Sequence, residues 1–217
     1  MDVPTIMQNL WGALKRGEVV LVERTDAGDQ YHNLHNMITW GLRDEYNILI
    51  VDILDSLHLL TAKARLAGID TEVFTKVEVI KIGGRTPTGK VIKTIEEISE
   101  PVILTKKFRD VYEQVLESRS PVLTIVLGIE KLLMASEFSS ANVHALVKLI
   151  SKYVGDERRL TVYLVKTDII GPERQSLTAL LEDMATTVIR VSKKGKTTEF
   201  HVVKSVTPTI EDIVLRF

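Results

Sequence analysis

The residues best placed to do chemistry lie between Gly17 and Trp40, GEVVLVERTDAGDQYHNLHNMITW. An apolar β-run, Val19 to Val22, enters a polar turn containing Asp26, Ala27 and Gly28, and Tyr31 to Trp40 has the character of a helix. Strand, glycine-containing turn, helix is the layout that turns backbone N–H groups and a helix dipole toward a phosphate. The full pattern, G-x-x-x-x-G-K-[ST], adds a lysine for the terminal phosphates and a hydroxyl for magnesium. Here the eight positions are Glu23, Arg24, Thr25, Asp26, Ala27, Gly28, Asp29 and Gln30, and only the second glycine survives. Asp29 stands where the lysine belongs and Gln30 where the hydroxyl belongs. Near a protein surface, like charges about 4 Å apart repel by roughly 4 kcal/mol at an effective dielectric of about 20. Micromolar affinity is worth about 8 kcal/mol, so this reversal alone is large enough to remove ordinary ATP binding. Arg24 is the residue able to replace the lysine.

Gly84 to Val91, GRTPTGKV, fits G-x-x-x-x-G-K but ends in valine. The following residues, Val91 to Ile95, alternate like a strand rather than opening a helix, so the stretch reads as the turn of a β-hairpin. Phosphate or polyanion contact through Arg85 and Lys90 is the alternative. Asp52 and Asp55 follow an apolar strand, and Asp55 with Ser56 reads as a helix N-cap. His32 and His35 stand three apart on the presumed helix, with Glu23 and Asp29 near in sequence. That spacing can place two ligands on one face, but no third ligand is evident and the pair reads as surface or packing histidines. His58, His144 and His201 are isolated. Ser136, Ser139, Ser140 and Thr167 are scattered hydroxyls without a nucleophile elbow. Lys193, Lys194 and Lys196 form a small basic hairpin tip. No metal or cofactor is implied by these residues.

The elements that must position these groups are legible from periodicity. The chain has 217 residues, 45% of them hydrophobic, with a formal net charge of -1 and no cysteine. This suits one domain spanning 1–217 with a substantial core. It gives no global pull toward nucleic acid or anionic membrane and excludes disulfides and thiolate metal sites. No apolar run reaches the length of a membrane span and no secretion signal is evident, so a cytoplasmic setting is expected. Pro4 to Arg16 has helical spacing. Strands are expected at Asn47–Ile53, within Thr71–Ile82, and at Val91–Ile95, Pro121–Leu127, Leu160–Val165, Val188–Val191 and Glu199–Lys204. Helices are expected at Leu57–Ala67, Phe108–Leu116, Glu130–Met134, Asn142–Tyr153 and Arg174–Met184. Strand alternating with helix predicts an α/β protein with a mainly parallel central sheet, helices on both faces and a C-terminal antiparallel hairpin.

Taken together, these elements resemble the RecA-type P-loop fold, a three-layer sandwich, and in particular its KaiC-like branch. GEVVLV and its turn match the first strand and phosphate loop, and NILIVDILDSLHLLTAKARLAGID resembles the second strand, acidic residue and helix. SPVLTIVLGIEKLL stands where the Walker B strand would be, RRLTVYLVKTDI resembles the fourth strand, and TTVIRVSKKGKTTEFHVVKS the closing hairpin. The resemblance extends to an uncharacterised archaeal family of RecA-like proteins with degraded nucleotide sites. It implies an acidic residue near Asp55 that activates the attacking water, and an aspartate ending the Walker B strand. That strand ends instead in Leu127 and Gly128, with Glu130 displaced toward a helix start. The degenerate nucleotide-site positions are therefore Glu23, Arg24, Gly28, Asp29, Gln30, Asp55 and Gly128. The expectation is a non-catalytic RecA/KaiC-like domain, a pseudo-ATPase leaning away from enzyme activity and acting by protein or peptide binding or by self-association as a homo-oligomer. The alternatives are a divergent ATP-binding protein or weak ATPase and, below it, a nucleic-acid-binding recombinase accessory protein.

Overall fold

The computed structural model describes residues 3–25, 30–134, 140–170 and 175–216. The chain runs α1 (Val3–Gly12), β1 (Val19–Arg24), α2 (Tyr31–Arg43), β2 (Asn47–Ile53), α3 (Ser56–Leu66), α4 (Glu72–Lys76), β3 (Glu78–Ile82), β4 (Lys90–Ile95), α5 (Pro101–Arg119), β5 (Val122–Leu127), α6 (Ile129–Leu133), α7 (Ser140–Lys152), β6 (Arg159–Lys166), α8 (Gln175–Met184), β7 (Thr187–Lys194), β8 (Thr197–Lys204) and β9 (Val214–Arg216). The nine strands form one sheet in the order β4-β3-β2-β5-β6-β1-β7-β8-β9. Pairing is parallel from β4 through β7, and β8 and β9 close the sheet antiparallel.

Strands β1, β2 and β5 are rich in Val, Ile and Leu because both of their faces are covered. Alternate residues therefore enter two different cores. Val20, Val22, Ile48, Ile50, Leu123 and Ile125 pack with Trp11, Leu34, Met37, Leu57 and Phe74, so α1 to α4 cover one face. Val19, Leu21, Val51, Val126 and Val188 pack with α6, α7 and α8 on the other. Tyr112, Val115 and Leu116 of α5 continue that second layer over Leu49, Ile80 and Val122. Among the described residues no helix is long and apolar enough to cross a membrane.

One expected element is overturned. Residues 71–95 do not make a β-hairpin: β3 and β4 pair in parallel, with Glu78 opposite Lys90 and Ile82 opposite Ile95. The chain reaches this register through the segment 83–89, which is shorter than the usual crossover of about a dozen residues. It can do so because glycines take the positive-φ positions, with Gly83 at 61°, Gly84 at 74° and Gly89 at 76°. Gly89 lies where a Cβ would meet Val79 at 2.7 Å, so the returning chain hugs β3. Turn composition identified the reversal, but the direction of pairing is set by where the second strand finds its hydrogen bonds. The strand expected within Thr71–Ile82 is β3 (Glu78–Ile82), and Glu72–Lys76 before it is the short helix α4.

Leu34 of α2 is fully buried beneath α1. Truncating a fully buried leucine removes its transfer energy and leaves a cavity. Leu34→Ala is expected to destabilise the protein by about 2–5 kcal/mol, read as a lowered denaturant midpoint at unchanged slope.

Candidate functional site

In open α/β sheets, ligands bind outside the carboxyl ends of the strands, and the predicted site residues gather there. Four groups meet at this edge: the end of β1, the turn after β2, the turn after β5, and the ends of β6 and β7. Gly28 and Asp29 lie outside the described residues, as do Ser136 and Ser139.

At the end of β1, the pleat sends successive side chains to opposite faces. Glu23 continues the Val19–Leu21 row toward α8, where it meets Arg190 of β7 at 3.2 Å. Arg190 also holds Glu182 of α8 at 2.9 Å. Burial of Glu23, reinforced by the Glu182 charge, outweighs Arg190 and lifts the Glu23 carboxyl to about 7. Arg24 continues the Val20–Val22 row toward α2, and its carbonyl accepts the Thr167 hydroxyl at 3.2 Å. Gln30 precedes α2 with a helical backbone and makes no side-chain cap. His32, in the first turn of α2, is held below its ordinary pKa by burial, then by His35 and by the positive charges of Arg24 and Lys193. His35 stands edge-on to Phe74, 6.0 Å between centroids. Among the described residues no three His, Asp or Glu side chains gather as a metal site.

After β2 the structure departs from the sequence reading. Asp55 occupies the N-cap position of α3, but its side chain does not cap the helix. Asp52, one turn earlier, accepts the Leu57 amide at 2.8 Å and does that work from inside the strand. Asp55 instead accepts the Arg85 and Thr86 amides at 2.9 and 3.0 Å, and is paired with the Lys81 ammonium. Lys81 lies directly opposite Asp52 in the β2–β3 register and reaches its second oxygen at 3.3 Å. Burial tends to raise the Asp55 pKa, but the Lys81 bond and the two amides hold it at about 2. The turn carries two consecutive non-glycine residues at positive φ, Leu54 at 51° and Asp55 at 60°. Such backbone persists only where its surroundings over-determine it. Here the Ile82 carbonyl accepts the Leu54 amide at 3.0 Å and the Leu54 carbonyl accepts Lys131 at 2.9 Å.

The loop 83–89, with its phosphate-loop spacing, thus wraps its amides around a carboxylate of its own chain. Gly84 is required there, since a Cβ would meet the Asp55 oxygen at 2.4 Å. Gly128 is required for a similar reason. Its φ is 83°, and a Cβ would meet the Ser56 Oγ at 2.2 Å and the Ile53 carbonyl at 2.7 Å. No side chain fits at the place expected for the magnesium-positioning aspartate. Glu130 opens α6, as its displacement implied, and is buried with one carboxylate oxygen lacking a partner among the described residues. Burial raises its pKa.

Lys81 is the residue that sequence reasoning missed. The signal was a lysine inside the apolar run Glu78–Ile82, since a buried charge needs a partner. Two aspartates at the end of the neighbouring strand were the available partners.

Comparison with known proteins follows this geometry. The family model described as "Pyrococcus protein of unknown function, DUF257" matches residues 9–215. No curated protein matches the chain. A Pyrococcus horikoshii structure described as a structural study of Project ID PH0250 is 26% identical with a TM-score of 0.79, covering 96% of this chain and 97% of that one. The KaiC-like protein PH0186 of Pyrococcus horikoshii is 14% identical with a TM-score of 0.64, covering 93% and 85% respectively. The fold is therefore RecA/KaiC-like, with the antiparallel C-terminal strands expected from the sequence.

Two measurements follow. Lys81→Met leaves the buried Asp52 and the part-exposed Asp55 without their cation, and is expected to cost about 3–5 kcal/mol at neutral pH. A thermal scan should show that loss shrinking in acid as Asp55, held at about 2 in the native protein, takes up its proton. For Glu23, the folded pKa of about 7 lies above the ordinary carboxylate value of 4.5. The native state then binds the extra proton, so this residue's contribution is intact below pH 4.5 and is lost as pH rises to 7. Glu23→Gln should therefore match the native protein at pH 4 to 5 and exceed it above pH 7 by about 3 kcal/mol.

Proposed function

The chain belongs to the DUF257 family of Pyrococcus proteins of unknown function, and from that starting point we propose that it is a non-catalytic KaiC-like domain with a degraded nucleotide site, acting through protein contact. The observation that carries this reading is the commitment of Asp55. Asp55, which loosely matches the place of the water-activating acid in KaiC-like enzymes, is bound by Lys81, Arg85 and Thr86 and held at a pKa of about 2. A carboxylate this acidic is a poor general base near neutral pH. The closed space at Gly128 removes a second part of the catalytic apparatus, and the Asp29 and Gln30 substitutions a third. Three independent losses support abandonment of hydrolysis better than any one.

The surface supports contact with a partner. Strand β4 is a sheet edge, but its register shifts at Val79/Ile80, and Lys90 and Lys93 are exposed along it. Bulges and lysines discourage the addition of a further strand. Beside it, Val102 and Ile103 in the first turn of α5 and Ile92 of β4 leave apolar surface exposed. A partner, or a second copy of the chain, would dock on these side chains rather than extend the sheet.

One observation favours a second reading, a divergent anion or nucleotide binder without turnover. Arg24 and Lys193 both bear on His32 at the start of α2, where the helix dipole also attracts negative charge. Magnesium–ATP titration by calorimetry separates the two readings. The native chain is expected to show no saturable binding and no phosphate release. The Asp29→Lys, Gln30→Thr variant is expected to gain binding but not turnover, because Asp55 and Gly128 are unchanged. Micromolar binding by the native chain would establish the second reading, and magnesium-dependent hydrolysis would end the first.

A further inference from the structure

Between α5, α7 and the sheet lies a cavity of about 80 Å³ that none of the foregoing uses. Val51 and Val126 from the sheet, Leu104 and Phe108 from α5, and Leu146 and Leu149 from α7 form its apolar walls. Leu104, Phe108, Leu146 and Leu149 are each part-exposed, so it opens toward solvent between the two helices. One liquid water fills roughly 30 Å³, and a dry cavity of about 150 Å³ takes benzene, so this space suits a handful of non-hydrogen atoms.

Its deep end is polar. Thr124 and Thr161 are neighbours across β5 and β6. The Tyr112 hydroxyl lies 2.8 Å from the first and 3.5 Å from the second. Beside them is Arg159, 1% exposed. Its guanidinium donates to the Glu18 carbonyl at 3.1 Å and to the Tyr153 carbonyl, and it lies against the Tyr153 ring. Among the described residues no carboxylate lies within ion-pair distance of it, and its Nε has no partner. Asp156 senses its charge but is held by Arg158, at 2.9 and 2.6 Å. A buried cation without a counter-ion is costly, and an apolar pocket with a few convergent polar groups is the usual form of a small-molecule site.

We propose that this cavity binds a short-chain carboxylate, with its hydrocarbon part between Leu104, Phe108, Leu146 and Leu149 and its head toward the Tyr112 and Thr161 hydroxyls and the Arg159 guanidinium. The walls select a compact aliphatic tail, and the absent counter-ion selects the negative head. The cavity walls reach Ile53, Ile82 and Ile129 of the strand-end edge, but the groups that would hold the head, Tyr112, Thr161 and Arg159, take no part in that edge, so failure of this site leaves the reading of that edge untouched.

The probe is isobutyrate, titrated into the full chain against its neutral isostere isobutyramide and followed by methyl NMR and thermal shift. Saturable binding of isobutyrate is expected, with shifts centred on Leu104, Leu146 and Leu149 and a raised melting temperature. The amide is expected to bind about ten-fold more weakly or worse, a difference of about 1.4 kcal/mol. Leu149→Trp, which fills the space, is expected to keep the native circular dichroism spectrum and lose binding. Equal affinity for the amide, binding that survives Leu149→Trp, or no saturation by either compound overturns the proposal. If Leu149→Trp fails to fold, the comparison of acid with amide on the native chain still decides.

Discussion

A single buried ammonium determines what the carboxyl edge of this sheet is able to do. Lys81 lies between Asp52 and Asp55, joining β2 to β3 and to the turn that follows β2. Two carboxylates against one lysine leave an excess negative charge, which the amides of Leu57, Arg85 and Thr86 offset. Desolvating such groups costs several kcal/mol per ion, and only good geometry with every lone pair occupied makes the arrangement tolerable. The positive φ at Leu54 and Asp55 and the return of the loop 83–89 are consequences of that requirement. The loop brings two donors, the Arg85 and Thr86 amides, to Asp55.

Seen as chemistry, the arrangement is an anion site with its anion built in. A phosphate cradle needs convergent backbone amides, a nearby cation and glycines that let the backbone approach closely. Arg85, Thr86, Lys81 and Gly84 supply all three, and the anion they hold is Asp55. This also accounts for the failure of the hairpin expectation, since the chain around 83–89 is shaped by reaching Asp55 and then regaining the start of β3. The same economy of space applies at Gly128. The room a magnesium-positioning side chain would fill is occupied by the Ser56 hydroxyl and the Ile53 carbonyl, so restoring an aspartate there requires moving the β2 turn as well.

Much of the fold was legible in the sequence because covered strands and amphipathic helices advertise their burial through periodicity. Asn47–Ile53 was read at its observed bounds, and the second-layer helices were placed by the spacing of residues such as Ile150 and Tyr153. The alternation predicted a mainly parallel sheet with a closing hairpin, and the RecA/KaiC-like expectation came from the resemblance of segments such as GEVVLV and SPVLTIVLGIEKLL to that family. What was not legible depended on pairing across the sheet. The parallel register of β4 is a long-range property, and so is the meeting of Asp52 with Lys81, which are 29 residues apart. The helix cap shows the point at short range. Asp55 has the right residue type and position for a cap, yet a lysine from another strand competes for its carboxylate and wins, leaving the helix to Asp52. Composition identifies a group that can make a bond, and tertiary structure decides which bond it makes.

The two helical layers differ in how their charged groups are met, although on the α1–α4 side too the buried indole N–H groups of Trp11 and Trp40 lack partners among the described residues. On the α1–α4 side, Asp52 and Lys81 are matched within the chain. On the α5–α8 side, Arg159 lacks a counter-ion among the described residues, Glu23 and Glu130 are raised by burial, and Val102 lies open on the surface. A polar group left short of partners by its own chain is stabilised by a ligand, a proton or a second protein. Under the proposed reading the strand-end edge has closed around its own carboxylate, and any continuing role falls to the groups that still gain from binding. In this molecule those groups lie with α5 and α7 and along the β4 edge, and it is there that the family's variation in sequence is expected to be most constrained by chemistry rather than by packing.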